Sequence, residues 1–218
     1  MIDVVVIAIA AKAARAISTA GRFHIVLAGG STPKPIYVRL VELETPWDRW
    51  HVYFSDERCL PVGHRQRNDT MARQVWLDRV SIPADQVHAI PAELGPDASA
   101  KAYARVLSNV GLFDLTLLGL GEDGHTASLF PGAPMGTGPA AADVLPVHRA
   151  PKPPASRVTL SAARLARSHS LYLIVSGKAK SKVLAQLRNG VSMPIRSVVP
   201  GNGIDLFLDS SAAPSGMD

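Results

Sequence analysis

The residues best equipped for chemistry lie within 113–132, FDLTLLGLGEDGHTASLFPG. This stretch starts as a buried strand, breaks into glycines and delivers Asp123 and His125 to the strand's carboxyl end. Ligands of α/β proteins bind at that edge. An imidazole there is a candidate general base acting on water, with Asp123 or Asp56 orienting or balancing it. A structural histidine in a tight loop is the plainer alternative. No G-x-S-x-G nucleophile elbow occurs, and Cys59 has no local motif of its own. His125 has neither a second histidine four residues on nor a cysteine pair nearby, so no metal site is expected.

Three further polar clusters follow apolar runs. Gly29-Gly30-Ser31-Thr32-Pro33 joins a strand to a helix. Its glycines permit close backbone approach to an anion, and exposed amides at a helix start attract phosphate. The alternative is a tight turn with Ser31 or Thr32 as helix cap. Asp56-Glu57-Arg58 sets two carboxylates and a guanidinium at a strand end. Arginine suits bidentate recognition of phosphate, whereas a solvated charged turn would need no ligand. Gly177-Lys178-Ala179-Lys180 opens a helix. Lysines in a first turn oppose the helix dipole, which points to an anion held by Lys178 or Lys180. Lys180, about one turn into that helix, could reach back over the sheet edge.

Gly119-Leu120-Gly121-Glu122-Asp123-Gly124 also fits G-x-G-x-x-G, the dinucleotide fingerprint. Pro131 leaves too little room for the helix that should follow, and Glu122 and Asp123 would bring negative charge to an anion site. Nucleotide binding is therefore not expected.

These clusters need a scaffold that gathers them. Strand-like runs occupy residues 23–28, 51–54, 113–118, 170–175 and 204–208, and helical patterns occupy 33–43, 68–80, 97–110 and 178–188. The alternation predicts an α/β fold with a mostly parallel sheet and helices on both faces. Because each cluster follows a strand, all should converge on one sheet edge as a composite site. Residues 133–154, rich in Gly, Pro and Ala, read as a long surface loop with a strand at 144–149. Neither a repeat nor a domain boundary is evident, so residues 1–218 are expected to form a single domain.

Composition narrows the partners. The net charge of +5 is scattered, without interleaved aromatics, so nucleic-acid binding is not expected and small acidic substrates fit. A single cysteine excludes an intrachain disulfide and suits a reducing compartment. The apolar amino-terminal run is short for a membrane span, is preceded by Asp3 and is interrupted by Lys12 and Arg15. A buried first helix in a soluble, cytoplasmic, monomeric protein without a membrane partner is expected.

Five pieces in order, LAGGSTP (27–33), SDERCLP (55–61) followed by Asn68, GLGEDGHTASLFPG (119–132), RVTL (157–160) and SGKAK (176–180), resemble the 6-phosphogluconolactonase family. That family lies within the larger group that includes glucosamine-6-phosphate isomerase/deaminase. The resemblance implies a Rossmann-like fold of the sugar-phosphate isomerase/lactonase type. It further implies hydrolysis of 6-phospho-D-glucono-1,5-lactone, a small phosphosugar lactone, with no metal or organic cofactor. By the same resemblance His125 activates water with Asp56 nearby, and Asp123 joins them as a catalytic candidate. Arg58 and Lys180 hold the phosphate with the loop Gly29, Gly30, Ser31 and Thr32, and Arg157 is a further candidate ligand. The amino-sugar deaminases continue from Asp-Gly-His toward an Asn-Glu pair, but this chain continues Thr126-Ala127-Ser128 with no carboxylate. An isomerase/deaminase and a non-catalytic sugar-phosphate-binding regulator are the competing readings.

Overall fold

The structure, a computed structural model, describes residues 1–213. In chain order the elements are α1 (Ile2–Ala20), β1 (Phe23–Leu27), α2 (Lys34–Leu40), β2 (Trp50–Phe54), β3 (Asp56–Arg58), α3 (Asn68–Val75), α4 (Pro96–Leu107), β4 (Phe113–Gly119), β5 (Val144–Val147), β6 (Arg157–Leu160), α5 (Ala162–Ala166), β7 (Ser168–Val175), α6 (Ser181–Arg188) and β8 (Ile204–Leu208). Five strands form a parallel sheet in the order β2-β1-β4-β7-β8. Consecutive residues Leu115 to Leu118 of β4 are fully buried, so both faces of the sheet are covered, as parallel sheets require.

The apolar amino-terminal run forms α1, which buries Val5, Val6, Ile9, Ala13 and Ala16 and packs on β1 and β4. Its spacing is that of one helical face. No helix among the described residues is long and apolar enough to cross a membrane.

Strand order fixes where a site can form. From β1 the chain steps outward to β2, then returns past β1 to β4 and continues to β7 and β8. The direction of winding reverses between β1 and β4, and the loops leaving these two strands diverge there, opening a crevice at their carboxyl ends. Those loops are the glycine-rich segments after Leu27 and Gly119.

A second sheet, antiparallel and ordered β3-β6-β5, roofs that edge. The strand expected at 144–149 is β5, ending at Val147. The Asp56-Glu57-Arg58 cluster differs from expectation: it is itself a strand, separated from β2 by Ser55 alone. Ser55 N–H donates to Leu27 O at 2.9 Å while its carbonyl accepts from Leu160 N–H at 2.8 Å, so this residue ties one sheet to the other.

Candidate active site

The β1 loop comes first. Gly29 has no room for a side chain, because a Cβ there would lie 2.0 Å from Asn68 Oδ1. Asn68, the first residue of α3, donates from Nδ2 to Asp56 O at 2.8 Å and to Asp56 Oδ1 at 3.2 Å. No side chain caps α2, so Ser31 and Thr32 are not the caps that one reading allowed. Thr32 Oγ1 instead accepts from Ser176 Oγ at 3.2 Å.

Glu57 decides how β3 and α3 meet. Fully buried, it accepts from Arg58 N–H (2.8 Å), Asn68 N–H (2.8 Å) and Asp69 N–H (2.9 Å). It therefore satisfies amides at the start of α3 that the helix itself leaves open. Burial pushes the Glu57 carboxyl up to about 8, against those three donors that pull it down. Buried Arg67 stands 3.9 Å away and pairs with Asp69 and Glu93 at 2.9 and 2.8 Å. The charged cluster is thus a buried joint rather than a solvated turn. It turns Asp56 into the crevice, where Oδ2 accepts from Ser128 Oγ at 2.5 Å.

The β4 loop is cross-tied, not helical. Gly121 N–H donates to His125 O (2.7 Å), Gly124 N–H to Gly121 O (3.0 Å) and Thr126 Oγ1 to Gly119 O (2.8 Å). His125 Nδ1 lies 2.5 Å from Asp123 Oδ1. A carboxylate can only accept, so the shared proton belongs to Nδ1 and the neutral imidazole keeps Nε2 free as a base. A Cβ on Gly121 would lie 2.1 Å from His125 Nδ1 and 2.6 Å from Asp123 Oδ1. The glycine of the apparent dinucleotide fingerprint therefore makes room for an imidazole, not a pyrophosphate.

Burial drives the His125 pKa down and Asp123 draws it back up; Lys152 lowers it, Asp56 raises it, and the outcome is below 6.5. Asp123 is pushed up by burial, but its bond to His125, the imidazole's charge and Lys152 outweigh that and hold it below the ordinary carboxylate range. This pairing keeps the acid ionised and the imidazole neutral near pH 7.

The crevice encloses about 200 Å³, and Gly29, Gly30, Ser31, Thr32, Asp56, Arg58, His125, Arg157 and Lys180 all line it. The convergence expected from sequence is therefore present. Asp123 is not part of this wall; it stands behind His125. Arg58 donates from Nη1 to Gln66 O at 2.5 Å, while its buried Nε has no partner among the described residues. Lys180 is placed differently from expectation. Residues Lys178–Lys180 form a 3₁₀ turn and α6 starts at Ser181, so Lys180 precedes the helix instead of lying one turn into it. Lys180, unlike Lys178, lines the crevice, with Nζ 3.9 Å from Glu122 Oε1. Burial lowers its pKa, Glu122 raises it and Lys152 lowers it, leaving it below the ordinary lysine value.

Three residues of the site were not singled out from sequence. Asn68 was noted only as part of a motif, and Ser128 only as part of the loop. Lys152 lies inside a proline-rich stretch that reads as surface loop, yet it lines the crevice with Nζ 3.4 Å from Asp123 Oδ1. Among the described residues no group of three or more His, Cys, Asp or Glu is arranged to hold a metal ion.

Comparison with known proteins agrees in fold and in length. The chain is 34% identical to a 6-phosphogluconolactonase of Synechocystis sp., covering 97% of this chain and 92% of that one. It is 37% identical to a 6-phosphogluconolactonase of Nostoc sp., covering 90% and 86% respectively. The crystal structure of 6-phosphogluconolactonase from Thermotoga maritima superposes with a TM-score of 0.87 at 32% identity, covering 95% of this chain and 94% of that one. Residues 1–207 match the model of the glucosamine-6-phosphate isomerases/6-phosphogluconolactonase family, and the chain belongs to that family.

Proposed function

We propose that this chain hydrolyses 6-phospho-D-glucono-1,5-lactone to 6-phospho-D-gluconate in the oxidative pentose phosphate pathway, without a metal or organic cofactor. The observation that carries this reading is the His125–Asp123 pair, 2.5 Å apart, set in a crevice that Arg58, Lys152, Arg157 and Lys180 also line. A base and a phosphate-seeking wall are what a phosphorylated lactone needs. In this reading His125 Nε2 takes a proton from water, and Asp123 holds the tautomer and balances the imidazolium that forms. Arg58, Lys180 and the backbone of Gly29, Gly30, Ser31 and Thr32 anchor the phosphate. Binding energy at that remote group orients the carbonyl for attack. Asp56, fixed by Asn68 and Ser128, faces the sugar and supplies negative charge near His125.

A deaminase would need a carboxylate that the continuation Thr126-Ala127-Ser128-Leu129-Phe130-Pro131 does not provide, and a pure binder would have no use for a base. A cytoplasmic, monomeric protein acting as one domain over residues 1–218 completes the proposal, and free Cys59 suits a reducing compartment.

The test is hydrolysis of freshly generated 6-phosphogluconolactone, corrected for spontaneous opening. His125→Ala is expected to lower kcat by about 10²-fold or more while 6-phosphogluconate still binds. Wild-type turnover no faster than the background would refute the lactonase reading.

A further inference from the structure

Arg157 and Lys152 exchange the roles that their residue types suggest. Arg157 is buried, and its guanidinium spends its donors on the protein. Nε donates to Pro154 O (3.0 Å), Nη2 to Lys152 O (2.9 Å) and Pro153 O (3.3 Å), and Nη1 to Ser128 Oγ (3.4 Å). Its plane also sits 5.6 Å from the Phe130 ring centroid. Four of its five N–H donors are thus engaged and one, on Nη1, is left, so it cannot present a bidentate fork to a phosphate without abandoning the carbonyls it holds. Those carbonyls belong to the β5–β6 connection, where Pro151, Pro153 and Pro154 surround Lys152 and fix the backbone φ around it.

Lys152 is the opposite case. Its side chain is 46% exposed, and Nζ touches Asp123 Oδ1 at 3.4 Å. An ammonium has three N–H donors, and one contact leaves two for a ligand in the crevice that Lys152 lines. It is thus the cation in contact with the His125–Asp123 pair, at the reacting end of the crevice.

Building on the lactonase reading, the geometry points to Lys152 as the catalytic cation that meets the oxyanion on the lactone carbonyl. Arg157 is then a positioning residue that holds the Lys152 loop, not a phosphate ligand. As His125 Nε2 removes a proton from water, the water oxygen bonds to C1 and the carbonyl π pair moves onto the carbonyl oxygen, beside the Lys152 ammonium. Collapse restores the carbonyl and breaks the bond between C1 and the ring oxygen, which takes the proton from His125. The carboxylic acid formed then ionises. A donor of this kind acts on charge that exists only in the transition state.

The experiment compares wild type, Lys152→Met, Lys152→Arg and Arg157→Lys in lactone hydrolysis from pH 5 to 8, with 6-phosphogluconate binding measured alongside. Lys152→Met should lower kcat about 10²–10³-fold with little change in KM. Its acid limb should move to higher pH, because the imidazole loses the Lys152 ammonium that lowers its pKa and keeps the carboxylates of Asp123 and Asp56 that raise it, with Arg58, Arg157 and Lys180 of the same crevice unchanged. Lys152→Arg should recover much of kcat. Arg157→Lys should lower kcat while product affinity stays near wild type. Unchanged kcat and acid limb in Lys152→Met, beside an active wild type, would overturn the Lys152 role alone. So would a Lys152→Met defect confined to KM. Product affinity lost in Arg157→Lys with kcat intact would return Arg157 to the phosphate site. An inactive wild type would overturn the lactonase reading and this one with it.

Discussion

Gly121→Ala is the sharpest single test of the site, because it adds one methyl group where the His–Asp pair leaves no room. The Cβ would lie 2.1 Å from His125 Nδ1, 2.3 Å from Cε1 and 2.6 Å from Asp123 Oδ1, whereas ordinary van der Waals contact begins at 3.4 Å. The imidazole must therefore retreat by about 1.3 Å, the gap between those distances, and Asp123 must give as well. Gly121 is not among the positive-φ glycines, so alanine fits its backbone and the strain falls on the side chains. A misplacement of about 1 Å costs on the order of 10²-fold in rate. If the pair separates entirely, the loss approaches the roughly 10²–10⁴-fold contribution of a general base. The assay is kcat and KM for lactone hydrolysis, with 6-phosphogluconate affinity and thermal unfolding as controls. The expected result is a kcat at least about 10²-fold down, with product affinity and melting temperature close to wild type. A kcat within threefold of wild type would refute the argument that this glycine exists to seat the base.

Other outcomes follow from the same contacts. Arg58→Ala and Lys180→Ala should chiefly raise KM; a KM unchanged in both variants would remove them from the phosphate site. Glu57→Ala strips the acceptor from three amides at the β3–α3 joint, so urea denaturation should show a loss of at least about 1–3 kcal/mol. A loss below 1 kcal/mol would mean the joint between β3 and α3 is held by other contacts. His24 stacks on His51 and Tyr53, and burial, then His51 and Arg22, lower its pKa from 6.5 to about 4. The folded state therefore resists a proton that the unfolded chain accepts, so stability falls as pH drops from 6.5 toward 4 and this contribution levels off below. Allowing for the partial exposure of His24, about 1 kcal/mol is at stake, or roughly 2–4 °C in melting temperature. His24→Phe should flatten that slope, and a slope unchanged in the variant would assign it to other groups.

Sequence reading reached the parallel sheet, the strand ends and the convergence of clusters because each rests on local signals: apolar runs, glycines and hydroxyls at fixed offsets. It did not reach the second sheet. The three residues of β3 carry two carboxylates and a guanidinium, the opposite of strand propensity, and they pair because Glu57 finds buried amides and Arg67 finds Asp69 and Glu93. Asn68 and Asp69 lie 11 and 12 residues from Glu57, and Glu93 lies 26 from Arg67, so these partners cannot be seen locally. The helix at 178–188 was placed correctly but not its first turn, since a 3₁₀ start and an α-helical one share the same composition. A lone lysine among prolines reads as an exposed loop, and neither the bond from Arg157 to the Lys152 carbonyl nor the contact of its ammonium with Asp123 is visible locally.

The G-x-G-x-x-G match shows why a motif needs its mechanism. In a dinucleotide site the glycines let a helix start approach a phosphate, so they serve an anion outside the chain. Here Gly121 makes room for the chain's own imidazole, and Gly124 N–H and Thr126 Oγ1 close the loop before a helix can begin. In the proposed reading phosphate recognition falls to the neighbouring β1 loop and to Arg58 and Lys180, across the same winding reversal. A fold whose two central loops diverge can thus divide the work, one loop binding the anion and the other carrying the base. The two functions should then separate by mutation: changes in the β1 loop should act on KM, and changes in the β4 loop on kcat. Gly30→Ala, with no heavy atom within 4 Å of the new Cβ but a φ of +94° that resists a side chain, should distort only the phosphate loop. It should raise KM while leaving the acid limb of kcat in place, and a shifted acid limb would show that the two loops are not independent.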